Sequence, residues 1–183
     1  MQRKMNPEED HVPLEKLSQL TTMEQLLVRT YRCWIAGMRL NNEYHWDQAW
    51  SAMSEHIGLE STRRVLSGLQ NIIMGIGTSA RRPIRLHPPC CGLVCPDELA
   101  LLTLVGACQR QERRLTSLVA EWIVTKHGNA NLLEGSQVIA NELLKRDIHL
   151  PKRSGVAKIN SEKFRNGSKL SEISRVRVKA VEA

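Results

Sequence analysis

The chain has 183 residues, of which 42% are apolar and 25% charged, so it is long enough for one ordinary domain with a sizeable core. Its longest apolar run, Leu99 to Cys108, is too short to cross a bilayer. Residues 1–10 contain no apolar segment of the kind that a signal peptide needs. Together with an odd number of cysteines, five, these features predict a cytoplasmic protein with reduced thiols and no membrane span.

The net charge of +7 is concentrated in the C-terminal segment. Residues 151–183 contain nine Lys and Arg against three Asp and Glu, whereas residues 1–150 contain seventeen against sixteen. A basic tail of this kind can bind nucleic acid, an acidic protein or a membrane surface, or can simply aid solubility. It has no helical period, so we predict a disordered, flexible tail over 151–183 and a flexible arm over 1–20.

Helical patterns fill the segment between the arm and the tail. Thr21 and Glu24 fit a capping box, in which each side chain accepts the other residue's backbone amide, so a helix begins there. Apolar side chains then recur at the 3.6-residue period of amphipathic helices. Asn41 and Gly58 supply helix stops. The first three helices are predicted over about 21–41, 43–57 and 61–75. The last helix is predicted to begin at residue 132 or 136 and to end at residue 146.

The fourth helix is predicted to begin at Pro96, because proline is favoured at the first helical position and the two acidic residues after it complement the helix dipole. It is apolar almost all round up to Cys108, so we expect it to be the buried spine. The polar segment 109–114 leaves two alternatives open, a continuous helix to residue 126 or a break. The prediction is an all-α, single-domain bundle of about five helices over residues 21–150.

A long loop rich in proline and cysteine occupies the middle of the chain, from about residue 78 to the start of the fourth helix. His87, Cys90 and Cys95 have spacings typical of zinc ligands, although a fourth ligand would have to come from elsewhere. Cys95 at a helix N-cap would also have a lowered pKa, with Cys91 as its redox partner. The structural alternative is a proline-stiffened loop whose cysteines pack against the core.

Residues 50–75 resemble a helix-turn-helix unit. A small residue lies four positions before Gly58, and Thr62, Arg63 and Arg64 give the second helix a polar, basic start. The resemblance implies a DNA-binding regulator in which these three residues contact nucleic acid. Arg64 stands where the pattern requires a buried aliphatic residue, and an ordinary helical hairpin accounts for the same residues.

The sequence contains no Gly-rich phosphate loop, no internal repeat and no pair of acidic residues at catalytic spacing. We therefore predict a small cytoplasmic protein of non-enzymatic, regulatory or partner-binding function, with another protein as its partner. Two alternatives remain: a DNA-binding regulator that uses residues 50–75, and a zinc-binding or thiol-redox protein that uses residues 87–95.

Overall fold

The computed structural model describes residues 15–153, which form six α-helices and one two-stranded antiparallel sheet. This part of the chain is mostly helical, as predicted, and none of its helices is long and apolar enough to cross a membrane. The predicted arm before residue 15 and the tail after residue 153 lie outside the described residues. The elements are β1 (Glu15–Lys16), α1 (Thr22–Leu40), α2 (Glu43–Ile57), α3 (Leu59–Ser79), β2 (Leu93–Val94), α4 (Pro96–Gln109), α5 (Arg113–Ile123) and α6 (Asn129–Leu144).

The first helix begins and ends as the sequence predicts. Thr21 Oγ1 accepts the backbone amide of Glu24 at 3.4 Å, and the Glu24 carboxylate accepts the amide of Thr21 at 2.9 Å, which confirms the capping box. Asn41 ends the helix in the left-handed conformation, with φ of 48°. In α2, which packs back against α1, Trp46 Nε1 donates to the carbonyl oxygen of Trp34 at 3.1 Å.

The predicted spine is divided into two helices, which brings the number within residues 15–153 to six rather than about five. Gln111 adopts the left-handed conformation, with φ of 54°. Its amide bonds the carbonyl of Cys108, and the amide of Glu112 bonds the carbonyl of Ala107, which is the Schellman pattern of a helix end. Because the polar segment has no apolar side chain to bury, the chain turns here and α5 packs back against α4.

The α3 and α6 helices pack antiparallel with their backbones in contact. Gly68 faces Gly135, and Gly75 faces Gly128. A β-carbon on Gly68 would lie 2.7 Å from the carbonyl oxygen of Gly135, and one on Gly75 would lie 2.9 Å from that of Gly128. Residues seven apart lie on the same face of a helix after two turns, so the two glycine pairs form one continuous contact.

Residues 15–20, which the sequence assigned to the arm, pack onto the domain. β1 pairs with β2, and Leu17 is only 2% exposed. At the other end of the described chain, Arg153 Nη1 bonds the Glu15 carboxylate at 3.0 Å and its Nε bonds Glu24 at 2.8 Å. The apolar residues of this segment, Leu17 and Leu20, are therefore buried in the core.

Candidate functional site

The cysteine loop, residues 87–95, leads into α4 through Cys95, which is the N-cap of that helix as predicted. The Cys95 amide donates to the Glu98 carboxylate at 2.9 Å. Its thiol donates to the carbonyl oxygen of Arg85 at 3.2 Å. Pro96 occupies the first helical position, where its missing N–H leaves no hydrogen bond unmade. The start of α4 therefore follows from local signals in the sequence.

Arg32 of α1 attaches the cysteine loop to the core, and its side chain is fully buried. Its Nε and Nη2 bond the two carboxylate oxygens of Glu98 at 2.7 and 2.9 Å, which is a bidentate ion pair. Its Nη1 donates to the carbonyl oxygen of Cys91 at 2.7 Å, and Nη2 also donates to that of Leu93 at 2.5 Å. One buried guanidinium thus fixes the backbone of the loop.

The two acidic residues of the first turn of α4 hold the loop as well as complementing the helix dipole. Glu98 accepts the backbone amide of His87 at 3.2 Å. Asp97 accepts a hydrogen bond from the Arg82 guanidinium at 3.0 Å and another from the backbone amide of Arg85 at 2.6 Å. Arg82 in turn lies 4.1 Å above the ring of a tryptophan in α5, in cation–π contact. These hydrogen bonds support the structural interpretation of the loop.

The Cys95 thiol differs from its predicted state. Burial, together with the smaller effect of the neighbouring Glu98 carboxylate, raises its pKa to about 12. The hydrogen bonds from backbone amides at the helix start lower the pKa, but by less. Burial also raises the pKa values of the Cys33 and Cys108 thiols. Cys95 is therefore a neutral thiol at neutral pH, whereas the sequence predicted a favoured thiolate.

The three predicted zinc ligands lie in different environments. His87 is half-buried, Cys90 is exposed, and Cys95 is buried with its thiol directed to a backbone carbonyl. Cys91, the predicted redox partner of Cys95, is partly buried. Within residues 15–153, no group of three or more His, Cys, Asp or Glu side chains is placed to hold a metal ion. The bonds from Arg32 to the loop carbonyls set this arrangement, since they fix the backbone that carries the cysteines.

The predicted nucleic-acid contacts also lie in different environments. Thr62 is fully buried, whereas the Arg63 side chain is 75% exposed. Arg64 bonds Glu60 at 3.1 Å and a glutamate of α6 at 3.5 Å. Gly58, with φ of 74°, alone joins α2 to α3, whereas a helix-turn-helix has a turn of about three or four residues. The second helix thus starts earlier than the resemblance requires.

Thiol accessibility gives a direct test of the cysteine loop. In reduced protein at about pH 8, we expect Cys90 to react with a disulfide reagent at least about 100-fold faster than Cys95, because only the thiolate attacks. Stopped-flow absorbance measures both phases. Cys90→Ser should remove the fast phase, and Cys95→Ser should leave it unchanged. A fast phase that disappears in Cys95→Ser would instead support the thiol-redox hypothesis.

One apolar side chain of α5, Leu118, is left exposed by the rest of the described chain. It is 56% exposed, and Leu115 and Trp122, which lie three and four residues away on the same side, are half-buried and pack against the core. Arg114, four residues before Leu118 and next to it on the helix, is exposed and forms no ion pair within residues 15–153. We call Leu115, Leu118, Trp122 and Arg114 the α5 face.

The sequence showed the apolar stripe of the α5 face but not its exposure. A single helix from 96 to 126 would align the stripe with the buried residues of α4, whereas the turn at residues 110–112 rotates it outward. The arginine pair that begins α5 was the available signal, because arginine is rarely buried without a partner.

These features define a mostly α-helical domain with a cysteine loop attached to the core by a buried ion pair, and with an exposed leucine on the apolar stripe of α5. Comparison of the chain with models of protein families, with curated proteins and with solved structures finds no match.

Proposed function

We propose that this is a small, non-enzymatic partner-binding protein whose α5 face binds an acidic, amphipathic segment of another protein. The observation that carries the proposal is the exposure of Leu118 between two half-buried apolar side chains and beside Arg114, which lacks an ion-pair partner within residues 15–153. Single exposed apolar residues are common on protein surfaces, but Leu118 together with its two half-buried neighbours forms a surface that a partner can cover.

The chemistry of the α5 face selects the class of partner. Anchors spaced by three or four residues are the pattern by which one amphipathic helix binds another. Arginine binds carboxylates through parallel hydrogen bonds, and Trp and Arg are enriched among the residues that contribute most to interfaces. The phosphate backbone of DNA could pair with the arginine but would not cover the apolar Leu118. A protein segment with apolar side chains and acidic neighbours therefore fits better than DNA.

The proposal is tested with the full-length protein and a fluorescent, acidic amphipathic peptide of Leu, Ala and Glu. We expect saturable binding that Leu118→Glu weakens at least about tenfold, because a charge replaces the central apolar anchor. Arg114→Glu should weaken binding and reduce its salt dependence. Leu59→Glu is the matched control, since Leu59 is 66% exposed and lies on α3. Fluorescence anisotropy gives the affinities.

The outcomes of the peptide experiment separate the proposal from its competitors. Absence of binding, or equal weakening by Leu59→Glu, would overturn it. Self-association in sedimentation that Leu118→Glu abolishes would assign the face to a second copy of this chain and would also overturn it. Circular dichroism confirms that each surface variant keeps its helices.

The proposal includes a cytoplasmic location, which suits the five free cysteines, all within the described residues. The DNA-binding and the zinc or thiol hypotheses stay predictions. Both hypotheses rank below partner binding, because Thr62, a predicted DNA contact, and Cys95, a predicted zinc ligand and reactive thiol, are buried. Salt-sensitive binding to duplex DNA that Arg63→Glu weakens would support the first. Stoichiometric zinc in the purified, reduced protein would support the second.

A further inference from the structure

A cavity of about 350 Å³ lies between α1, the C-terminal end of α3 and the segment 80–86 that covers them. This volume lies within the range of small-molecule sites. Exposed and half-exposed side chains form its rim, among them Thr78 and Arg81. Its floor is formed by buried side chains, which are Tyr31, Ile35, Ile73, Ile76 and Ile84.

Two side chains that line the cavity, Arg81 and Tyr31, have hydrogen-bonding groups without a partner within residues 15–153. Arg81 Nε donates to the carbonyl oxygen of Val124 at 3.0 Å, which orients the guanidinium. Its terminal nitrogens make no hydrogen bond within residues 15–153. The Tyr31 hydroxyl likewise has no hydrogen-bond partner in the described part of the chain, although the residue is 4% exposed. Burial raises the pKa of Tyr31 above its usual range, so this hydroxyl can donate at neutral pH.

We infer that this cavity binds a small aliphatic carboxylic acid, with its carboxylate on the Arg81 guanidinium and its chain on the isoleucine floor. Arginine provides the fork that matches a carboxylate. Apart from Tyr31, the floor consists of branched aliphatic side chains, which match an aliphatic chain better than a ring. Each methylene that a ligand buries there should tighten binding about fourfold. An acid of about eight carbons fits the cavity.

The cavity is distinct from the α5 face, and the inference goes beyond the proposed function. The segment that covers the cavity also touches α5, because the Arg81 amide bonds the carbonyl of Ile123 at 3.1 Å. Arg82 next to it lies over the ring of Trp122, a member of the α5 face. A ligand in the cavity would therefore contact the segment that supports the partner-binding helix.

Isothermal titration of the full-length protein with sodium octanoate tests the inference. We expect saturable binding at one site, with hexanoate about 16-fold weaker for its two missing methylenes. Octanol should bind more weakly, since it lacks the carboxylate. Arg81→Gln should weaken octanoate at least about tenfold, and Tyr31→Phe should weaken it to a smaller extent. Arg63→Gln, an exposed arginine of α3, is the control and should bind as the wild type does.

Three results would overturn the carboxylate site. They are no saturable binding up to about 1 mM octanoate, equal affinity for octanol, and full affinity in Arg81→Gln. Arg81 is exposed, and Tyr31→Phe removes a single oxygen, so both variants should fold. Leu118→Glu should retain octanoate binding. The carboxylate site can therefore be confirmed or overturned whether or not the α5 face binds a partner.

Discussion

Replacement of Glu98 by alanine is expected to lower the free energy of unfolding by about 3–5 kcal/mol, the range for removing one partner of a buried ion pair. Arg32 would keep its charge inside the core, with only backbone carbonyl oxygens of the loop as acceptors. The amides of His87 and Cys95 would also lose their acceptor. The change therefore acts on α1, the cysteine loop and the start of α4 together.

Urea denaturation followed by circular dichroism measures the effect of Glu98→Ala. Glu60→Ala is the control, because that carboxylate also pairs with arginine but is 65% exposed, and surface pairs contribute little. The double variant Arg32→Met with Glu98→Leu should be less destabilised than the sum of the single replacements, since it leaves no unpaired charge. A loss in Glu98→Ala no larger than in Glu60→Ala would contradict the role given to the buried pair.

Replacement of Gly135 by alanine should destabilise the domain by about 1–3 kcal/mol, because the added methyl group meets the carbonyl oxygen of Gly68. Alanine is the better helix former by about 1 kcal/mol, so propensity alone predicts the opposite sign. The steric clash outweighs the gain in helix propensity, because the atom in contact is a backbone oxygen that cannot move unless the two helices separate. Gly135→Val should cost more than Gly135→Ala.

Thermal unfolding of a control glycine variant shows whether the loss in Gly135→Ala comes from the steric clash. Gly92→Ala is the matched control, because its β-carbon would meet nothing within 4 Å. This control should leave the melting temperature unchanged or slightly raised. Gly68→Ala combined with Gly135→Ala should cost less than the sum of the two, because both act on one contact. A stabilised Gly135→Ala variant would show that the helices are not in backbone contact there.

Local signals in the sequence were sufficient to locate the starts of α1, α2 and α4, whereas α3 and α6 begin earlier than predicted, at Leu59 and Asn129. The capping box at Thr21 and the proline after Cys95 act within four residues, so their geometry does not depend on the rest of the fold. The helices α1 and α2 accordingly lie within a residue of their predicted bounds.

Non-local contacts account for what the sequence did not show. Arg32 lies outside the apolar stripe of α1, and its partner Glu98 is 66 residues away along the chain. The seven-residue glycine spacing was visible in two segments, but nothing in either segment indicates that they pair. For Cys95, the helix start was correct and the pKa direction was wrong, because burial depends on the packed core.

Chemical-shift mapping tests the central claim most directly, since it distinguishes three candidate binding surfaces in one titration. The isotope-labelled, full-length protein is titrated with the acidic amphipathic peptide, and amide shifts are followed across the chain. We predict that the largest changes fall on Arg113–Ile123, with the cysteine loop at 87–95 and the start of α3 at 60–64 unchanged. Changes centred on either of those two segments, with α5 unaffected, would contradict the account.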